Sequence, residues 1–366
     1  MARTLKSDKI LFVATLLLAG ASIVMVYSAS AARALDHPQQ QYTFLVKQAM
    51  WAALGLGILG LAVRFDYRNF KQPVVIWTML GLATIGLVAV LFAPAVKGSH
   101  RWLGFAGFGV QPSEFAKLAI VVFTAAVLER RMSRINDVAY SLAPIAVAVI
   151  GMVALILPEP DFGSAMSLVA IAALVIFAAG LAYRYLFGAA LAILPLAALL
   201  LWIAPYRRDR VLAFLDPWKD PQNTGFQLVQ STIAVGTGGV FGRGLAAGIQ
   251  KMYYLPEPHN DFIYAVIAEE LGLVGATAVL VCFALITWRG LRVAVRAPDA
   301  FGALLATGIT AMIAVQAFVN ISVVLGLMPT KGIALPLVSA GGSSLLINML
   351  AIGVLLNISQ HASAEA

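Results

Sequence analysis

Apolar runs of membrane-spanning length recur along this chain, each closed by a short polar stretch. A helix needs about 20 such residues to cross a hydrocarbon layer roughly 30 Å thick. Segments that meet the pattern cover residues 10–32, 44–63, 73–94, 113–128, 142–157, 163–181, 186–204, 262–288, 301–328 and 342–358. The pattern predicts an all-α fold, a polytopic membrane protein of about ten transmembrane helices in a single domain over 1–366. The first run is too long for the apolar core of a signal peptide and further spans follow it, so it reads as a retained helix.

The polar punctuation is uneven. Arg3, Lys6 and Lys9, then Arg64, Arg68 and Lys71, then Arg130, Arg131 and Arg134, then Arg184, then Arg289, Arg292 and Arg296 fall on one side of the alternating spans. The short loops opposite hold Arg33, Lys97, Arg101 and Lys331. By the positive-inside rule the basic side is cytoplasmic, and both termini with it. The long connection 205–260, between the seventh and eighth spans, then lands outside, where its length exempts it from the charge rule. A polar insert of that length is uncommon and usually functional, so the chemistry is expected on the extracytoplasmic side.

Composition agrees with a membrane location, since 61% of the residues are hydrophobic and 11% charged, too few polar groups to cover a globule. The net charge of +8 would suit nucleic acid, but the basic residues are scattered through loops with no interleaved aromatic face, so it reports topology. Cys282, the single cysteine, lies in mid-span and excludes an intrachain disulfide or a cysteine metal cluster.

Against this background the stretch "YLPEPHNDFIYAVIAEELG", 254–272, is conspicuous for its acids. Asp261 opens a span, either as a helix N-cap or as a general base at the water boundary. With Glu257 and His259 it could also offer ligands to a metal, although no second cluster supports that. Glu269 and Glu270 follow about 12 to 14 Å further along a helix. Acids at such depth are costly unless they are paired or face a cavity, and both readings stay open. In "GVQPSEFAKLA", Glu114 and Lys117 share one helical face, as a packing device or a cavity wall. The cluster "GTGGVFGRGLAAG" fails the spacing of nucleotide-binding loops. It leaves a backbone that binds an anion, or a turn-rich re-entrant loop. "GLMPTKGIALPLVSAGGSS" joins the last two spans with irregular backbone, which membranes tolerate where it lines a cavity or packs on protein, and Lys331 there is a candidate phosphate contact.

These segments, in this order, resemble the SEDS family (shape, elongation, division and sporulation), polytopic bacterial enzymes that polymerise the peptidoglycan precursor lipid II. The likeness covers nearly the whole chain through "SHRWLGFAGFGVQPSEFAKL", "PEPDFGSA", "RVLAFLDPWKDPQNTGFQLVQSTIAVGTGGVFGRGL" and the two stretches already quoted around Asp261 and Lys331. "PTKG" at 329–332 is similar to the division-type branch rather than the elongation-type branch, which usually lacks that lysine. The chain departs from the family at Ala340, where Tyr is common, at Glu159, where Gln is common, and at 244–248, which lacks a Gly-x-Gly-x-Ser pattern.

The resemblance implies an inverting glycosyltransferase in the bacterial cytoplasmic (inner) membrane, with Asp261 as its catalytic carboxylate. Arg210 and Lys331 are the candidates for holding the pyrophosphate, and Glu114, Lys117, Trp102, Gln227, Ser231, Ser339 and Ser343 are further candidate substrate contacts. It also implies a divalent cation, Mg or Mn, as cofactor. The expected partners are lipid II, a class B penicillin-binding protein (a transpeptidase) and other divisome or elongasome membrane proteins. No Ser-x-x-Lys acyl-transfer motif stands in any outer loop, so cross-linking would fall to that transpeptidase. The rival reading is a lipid II flippase, with the intramembrane charges lining a conduit. A flippase needs a midplane site reached from both sides, whereas the distinctive charge here is concentrated in one outer loop. No inverted repeat supports a generic secondary transporter.

Overall fold

Prolines and aspartates set most of the points at which loop becomes helix. Pro73, Pro112, Pro144 and Pro205 stand in the first turns of their helices, where a missing N–H costs nothing. Asp161 and Asp299 act as N-caps, accepting the N–H of Ser164 (3.1 Å) and of Gly302 (2.7 Å). The computed structural model describes residues 7–36, 42–94, 100–105, 108–252 and 254–362. Arg3, Lys6 and Lys97, used in the charge argument, lie outside them.

The elements are α1 (Lys9–Asp36), α2 (Thr43–Arg64), α3 (Pro73–Leu91), a small hairpin of β1 (Leu103–Phe105) and β2 (Phe108–Val110), α4 (Pro112–Arg131), α5 (Val138–Ser141), α6 (Ala143–Ile156), α7 (Phe162–Ala178), α8 (Tyr183–Ile203), α9 (Pro205–Leu215), α10 (Phe226–Thr237), α11 (Ile263–Val295), α12 (Ala300–Val324) and α13 (Gly342–Ala362). Each of the ten expected spans coincides with a helix. Among the described residues seven helices are long and apolar enough to cross a membrane, α6 and α7 are shorter, and α4 carries Glu114, Lys117 and Glu129 along its length.

One apolar cluster runs from α1 to α13, with α4, α12 and α13 buried along most of their length. α8 is the exception: among its described side chains none is buried, and Phe187, Leu191, Leu194 and Trp202 all lie exposed. A helix apolar on every side and exposed on every side suits a lipid environment. On the face holding both termini, Asp8 pairs with Arg289 (2.5 Å) and its N–H donates to Ser359, so the start of α1, the end of α11 and the end of α13 are tied together.

α11 is not one continuous helix. At Gly272 the backbone takes φ 67° and ψ −163°, and the loop before α11 inserts into the break. Leu273 and Val274 donate their N–H groups to the carbonyls of Gly239 (2.9 Å) and Val240 (3.2 Å). A Cβ on Gly238 would fall 1.9 Å from the carbonyl oxygen of Ala268, and one on Gly242 would fall 2.1 Å from that of Glu270. The glycine cluster is therefore a re-entrant packing loop, with glycine required where backbone meets backbone.

The same loop settles the two buried acids. Glu269 accepts the N–H groups of Ile249 (2.8 Å) and Gln250 (3.2 Å). Glu270 takes Lys251 Nζ (2.5 Å), the Ser28 hydroxyl (2.7 Å) and the Ala246 N–H (3.0 Å). Residues 263–270 are wholly buried in protein, and the exposed apolar face of α11 begins at Leu273. The acids thus precede the lipid-facing part of the helix and pin a loop; the cavity-lining alternative falls away.

Candidate active site

Two loops meet to place Asp261. The Asn320 amide on α12 donates both to the carbonyl of Asp261 (2.8 Å) and to that of Ile333 (2.7 Å), clamping the segment before α11 to the segment between α12 and α13. Ser339 donates to the Asn260 carbonyl (2.6 Å), and the Ala340 N–H to that of His259 (2.9 Å). Upstream, Glu257 holds φ 49°, a left-handed conformation that costs a non-glycine residue energy and recurs at functional loops.

Asp261 does not cap the helix. The residue preceding α11 is Phe262, no side chain caps that end, and the Asp261 carboxylate makes no hydrogen bond among the described residues. Instead it faces Gly332: a Cβ there would lie 3.0 Å from Asp261 Oδ2 and 3.5 Å from Arg101 Nη1. Glycine at 332 lets a carboxylate and a guanidinium share one spot. Arg101 is itself fixed through bonds to the carbonyls of Glu159 (3.2 Å) and Pro160.

Gly332 and Arg101 belong to the wall of an open pocket of about 550 Å³, which Asp161, Arg207, Arg210 and Lys331 also line. Its cations rest on aromatic faces: Lys331 Nζ and the Arg207 guanidinium lie 5.4 Å and 5.3 Å from the Phe162 ring, and Arg210 lies 5.9 Å from that of Tyr206. Arg210 and Thr330 also line an adjoining pocket of about 760 Å³, which contains Gln227.

Burial pushes the Asp261 carboxyl up to about 7; the charges of Glu257 and Asp161 push the same way, against Arg101 and Arg210. Glu159, whose two carboxyl oxygens are buried without a hydrogen-bond partner, rises to about 8 through burial and the charge of Asp161. Burial also lowers Lys331. Four arginines and lysines thus crowd a pocket beside a carboxylate that takes up and releases a proton near neutral pH.

The structure brings Asp261, Arg210 and Lys331 together and sets Gln227 next door. It gives other expected contacts different work. Glu114 and Lys117 form a buried pair at 2.8 Å, with Gln316 donating to Glu114 (3.2 Å), so they satisfy each other inside the bundle and line neither pocket. Ser231 donates to the Val324 carbonyl (2.7 Å) and Ser343 accepts the Gln111 N–H (3.1 Å). Ser339 lies close to the Asp261 loop but spends its hydroxyl on Asn260. Trp102 lines a separate cleft. A metal centre built on His259, Glu257 and Asp261 does not assemble: among the described residues no three His, Cys, Asp or Glu side chains converge.

Sequence reasoning gave Arg101 only a topological role and Asp161 none, although both stand in stretches that carry the resemblance. Their signal was placement in quoted motifs; what was missing was the 58-residue separation that the Arg101–Glu159 contact spans.

The family model described as cell cycle protein, covering FtsW, RodA and SpoVE, matches residues 8–364. The probable peptidoglycan glycosyltransferase FtsW of Geobacter metallireducens is 43% identical over 344 residues, which cover 92% of this chain and 90% of that protein. The stage V sporulation protein E of Bacillus subtilis is 39% identical over 360 residues, 97% of each chain. Among solved structures, the rod shape determining protein RodA of Thermus thermophilus matches with a TM-score of 0.71 at 26% identity over 97% of both chains. A chain from work on the structural coordination of polymerization and crosslinking by a peptidoglycan synthase complex matches with a TM-score of 0.80 at 30% identity, covering 98% of this chain and 99% of that one.

Proposed function

Because the chain belongs to the cell cycle protein family of FtsW, RodA and SpoVE, we infer that it is a membrane-embedded peptidoglycan glycosyltransferase, polymerising lipid II into glycan strands with Asp261 as general base. The observation that carries the catalytic assignment is the Asp261 carboxylate, without a hydrogen bond among the described residues, raised toward neutrality, and set against Gly332 in the wall of a cationic pocket. A base with a pKa near the working pH combines a useful ionised fraction with real proton affinity.

In this reading Asp261 accepts the proton of the acceptor's sugar 4-hydroxyl as that oxygen attacks the donor's anomeric carbon. The bond from that carbon to the lipid pyrophosphate breaks on the opposite face, inverting the centre, and the electron pair leaves with the pyrophosphate. Arg210, Lys331 and Arg101 meet the charge that builds there. The divalent cation expected of the family finds no preformed cage of three ligating side chains among the described residues.

Lys331 supports a division-type role. The similarity to a chain from a peptidoglycan synthase complex supports a partner that cross-links, and we assign that part to a class B penicillin-binding protein whose single transmembrane helix docks on the bundle. The basic loops support an orientation with both termini cytoplasmic and the site outside. The flippase reading loses its support, since Glu114, Lys117, Glu269 and Glu270 are internally paired and offer no conduit.

The test is purified protein in detergent with labelled lipid II, alone and with a candidate transpeptidase, scored for glycan strands. Asp261→Asn should lower the rate by about 10² to 10⁴. Arg210→Ala and Lys331→Ala should each lower it about tenfold to a hundredfold, the worth of one charge-assisted contact. Polymer made at full rate by Asp261→Asn would overturn the assignment.

A further inference from the structure

A second cleft takes part of its wall from the segment just before Asp261. It has a volume of about 670 Å³ and is lined by residues of α1, α2, the hairpin region, the segment before Asp261 and the start of α13. Residues adjacent in sequence line the two cavities. Arg101 lines the cationic pocket, and the next residue, Trp102, lines the cleft. Asp261 reaches toward Gly332 in the pocket wall, while His259 and Asn260, just before it, line the cleft. The Asn260 N–H closes a turn on the Glu257 carbonyl (3.0 Å), and the residues of that turn are divided between the cleft and the Asp261 side.

The linings differ in chemistry. The pocket gathers cations; the cleft has Lys47 as its single Lys or Arg among the described residues and is built instead from indoles, amides and an imidazole. Trp51 lies so flat on Gly342 that a Cβ there would fall 2.1 Å from its ring, and Trp102 lies on Gly109 at 3.0 Å by the same measure. Both indoles are partly exposed. Asn260 Oδ1 is buried with no hydrogen-bond partner. Aromatic faces beside a few fixed amides suit a pyranose, which presents an apolar C–H face and a rim of hydroxyls.

Resting on the glycosyltransferase reading, we propose that this cleft is the acceptor's saccharide site: it binds the amino-sugar disaccharide through Trp51, Trp102 and Asn260 and holds its terminal hydroxyl at the edge shared with Asp261. The donor's pyrophosphate occupies the cationic pocket on the other side, so the base stands between the two reactants.

The probe that separates the two cavities is the soluble disaccharide-pentapeptide, without lipid or pyrophosphate. It is titrated by calorimetry against full-length Asp261→Asn protein in detergent, and without a pyrophosphate leaving group it cannot turn over. Gly341 lines the cleft, and a Cβ there would meet only Ser344 Cβ, at an ordinary 3.6 Å, so the backbone has room for a side chain and Gly341→Leu adds bulk at the cleft wall. Gly341→Leu and Trp102→Leu should each weaken the probe about tenfold or more. Arg210→Ala combined with Lys331→Ala should leave its affinity within about twofold, while weakening inorganic pyrophosphate. Retained pyrophosphate binding shows that a cleft variant is folded; should Trp102→Leu fail this check, Gly341→Leu decides. The proposal is overturned if the probe does not bind, if filling the cleft leaves its affinity unchanged, or if its binding is lost with Arg210 and Lys331 instead. Failure of the wild-type protein to make glycan would count against the glycosyltransferase reading alone, since probe binding is read without turnover.

Discussion

An acid whose pKa rises on folding carries a sign that can be measured. Asp261 moves from an ordinary 3.8 to about 7, so between those values the folded state holds a proton that the unfolded state has released. Stability therefore falls as pH rises from about 4 to about 7, then stays level with the penalty fully in place. Asp261→Asn should unfold at the same temperature as wild type near pH 4 and at a higher one above pH 7, with the gap opening between. Activity should run the other way: kcat/KM of the wild type falls as pH drops below about 7, because the base becomes protonated. Scanning calorimetry and a polymerisation pH profile check the two halves, and an unfolding gap independent of pH would show that the carboxyl is not buried as described. Lys251 and Glu270 form a fully buried ion pair at 2.5 Å. Lys251→Met should cost about 3 to 5 kcal/mol by stranding Glu270, and the double change with Glu270→Gln should cost less, as read from thermal unfolding in detergent.

Among the elements, α11 shows how a helix can carry a functional loop. Its first two turns are buried by the re-entrant segment, and the break at Gly272 lets that segment's backbone lie directly against the helix. A Cβ on Gly272 would lie 2.3 Å from Gly242 N and 2.5 Å from Val240 O, backbone atoms that cannot step aside, in a conformation open only to glycine. Gly272→Ala should therefore cost about 3 kcal/mol or more, with loss of folded protein in size-exclusion analysis. Gly236, in α10, is the control: nothing lies within 4 Å of its Cβ position, so Gly236→Ala should be neutral or stabilise by about 0.5 to 1 kcal/mol.

For the molecule as a whole, the alternation of helices gathers the two sets of loops on opposite ends. One end ties Arg68 to Asp299 and Lys71 to Glu129; the other holds Arg101 against Glu159 and Pro160 and Asp261 against Gly332. The proposed orientation makes a labelling prediction. In a Cys282→Ser background, Asn223→Cys, exposed in the long loop, should react with a membrane-impermeant maleimide in intact cells, and Ser133→Cys, exposed at the opposite end, only after lysis. The reverse pattern would invert the topology.

Helices at the ten expected positions were legible in the sequence because a membrane imposes a simple rule: an apolar run within it must be helical to satisfy its own backbone. Asp261, Arg210 and Lys331 were also legible, since charge is rare in such a chain and each stands in a distinctive motif. What those charges do was not. Whether Asp261 caps or faces a pocket, whether Glu269 and Glu270 line a cavity or pin a loop, and whether Glu114 and Lys117 reach a ligand or each other all turn on contacts that close only in three dimensions. Glu270 meets Ser28 across 242 positions, and Asn320 clamps Asp261 across 59. Local pattern fixes which groups must be satisfied, whereas the tertiary packing decides which partner satisfies them, because the cost of burying a charge depends on its surroundings and not on its neighbours in sequence.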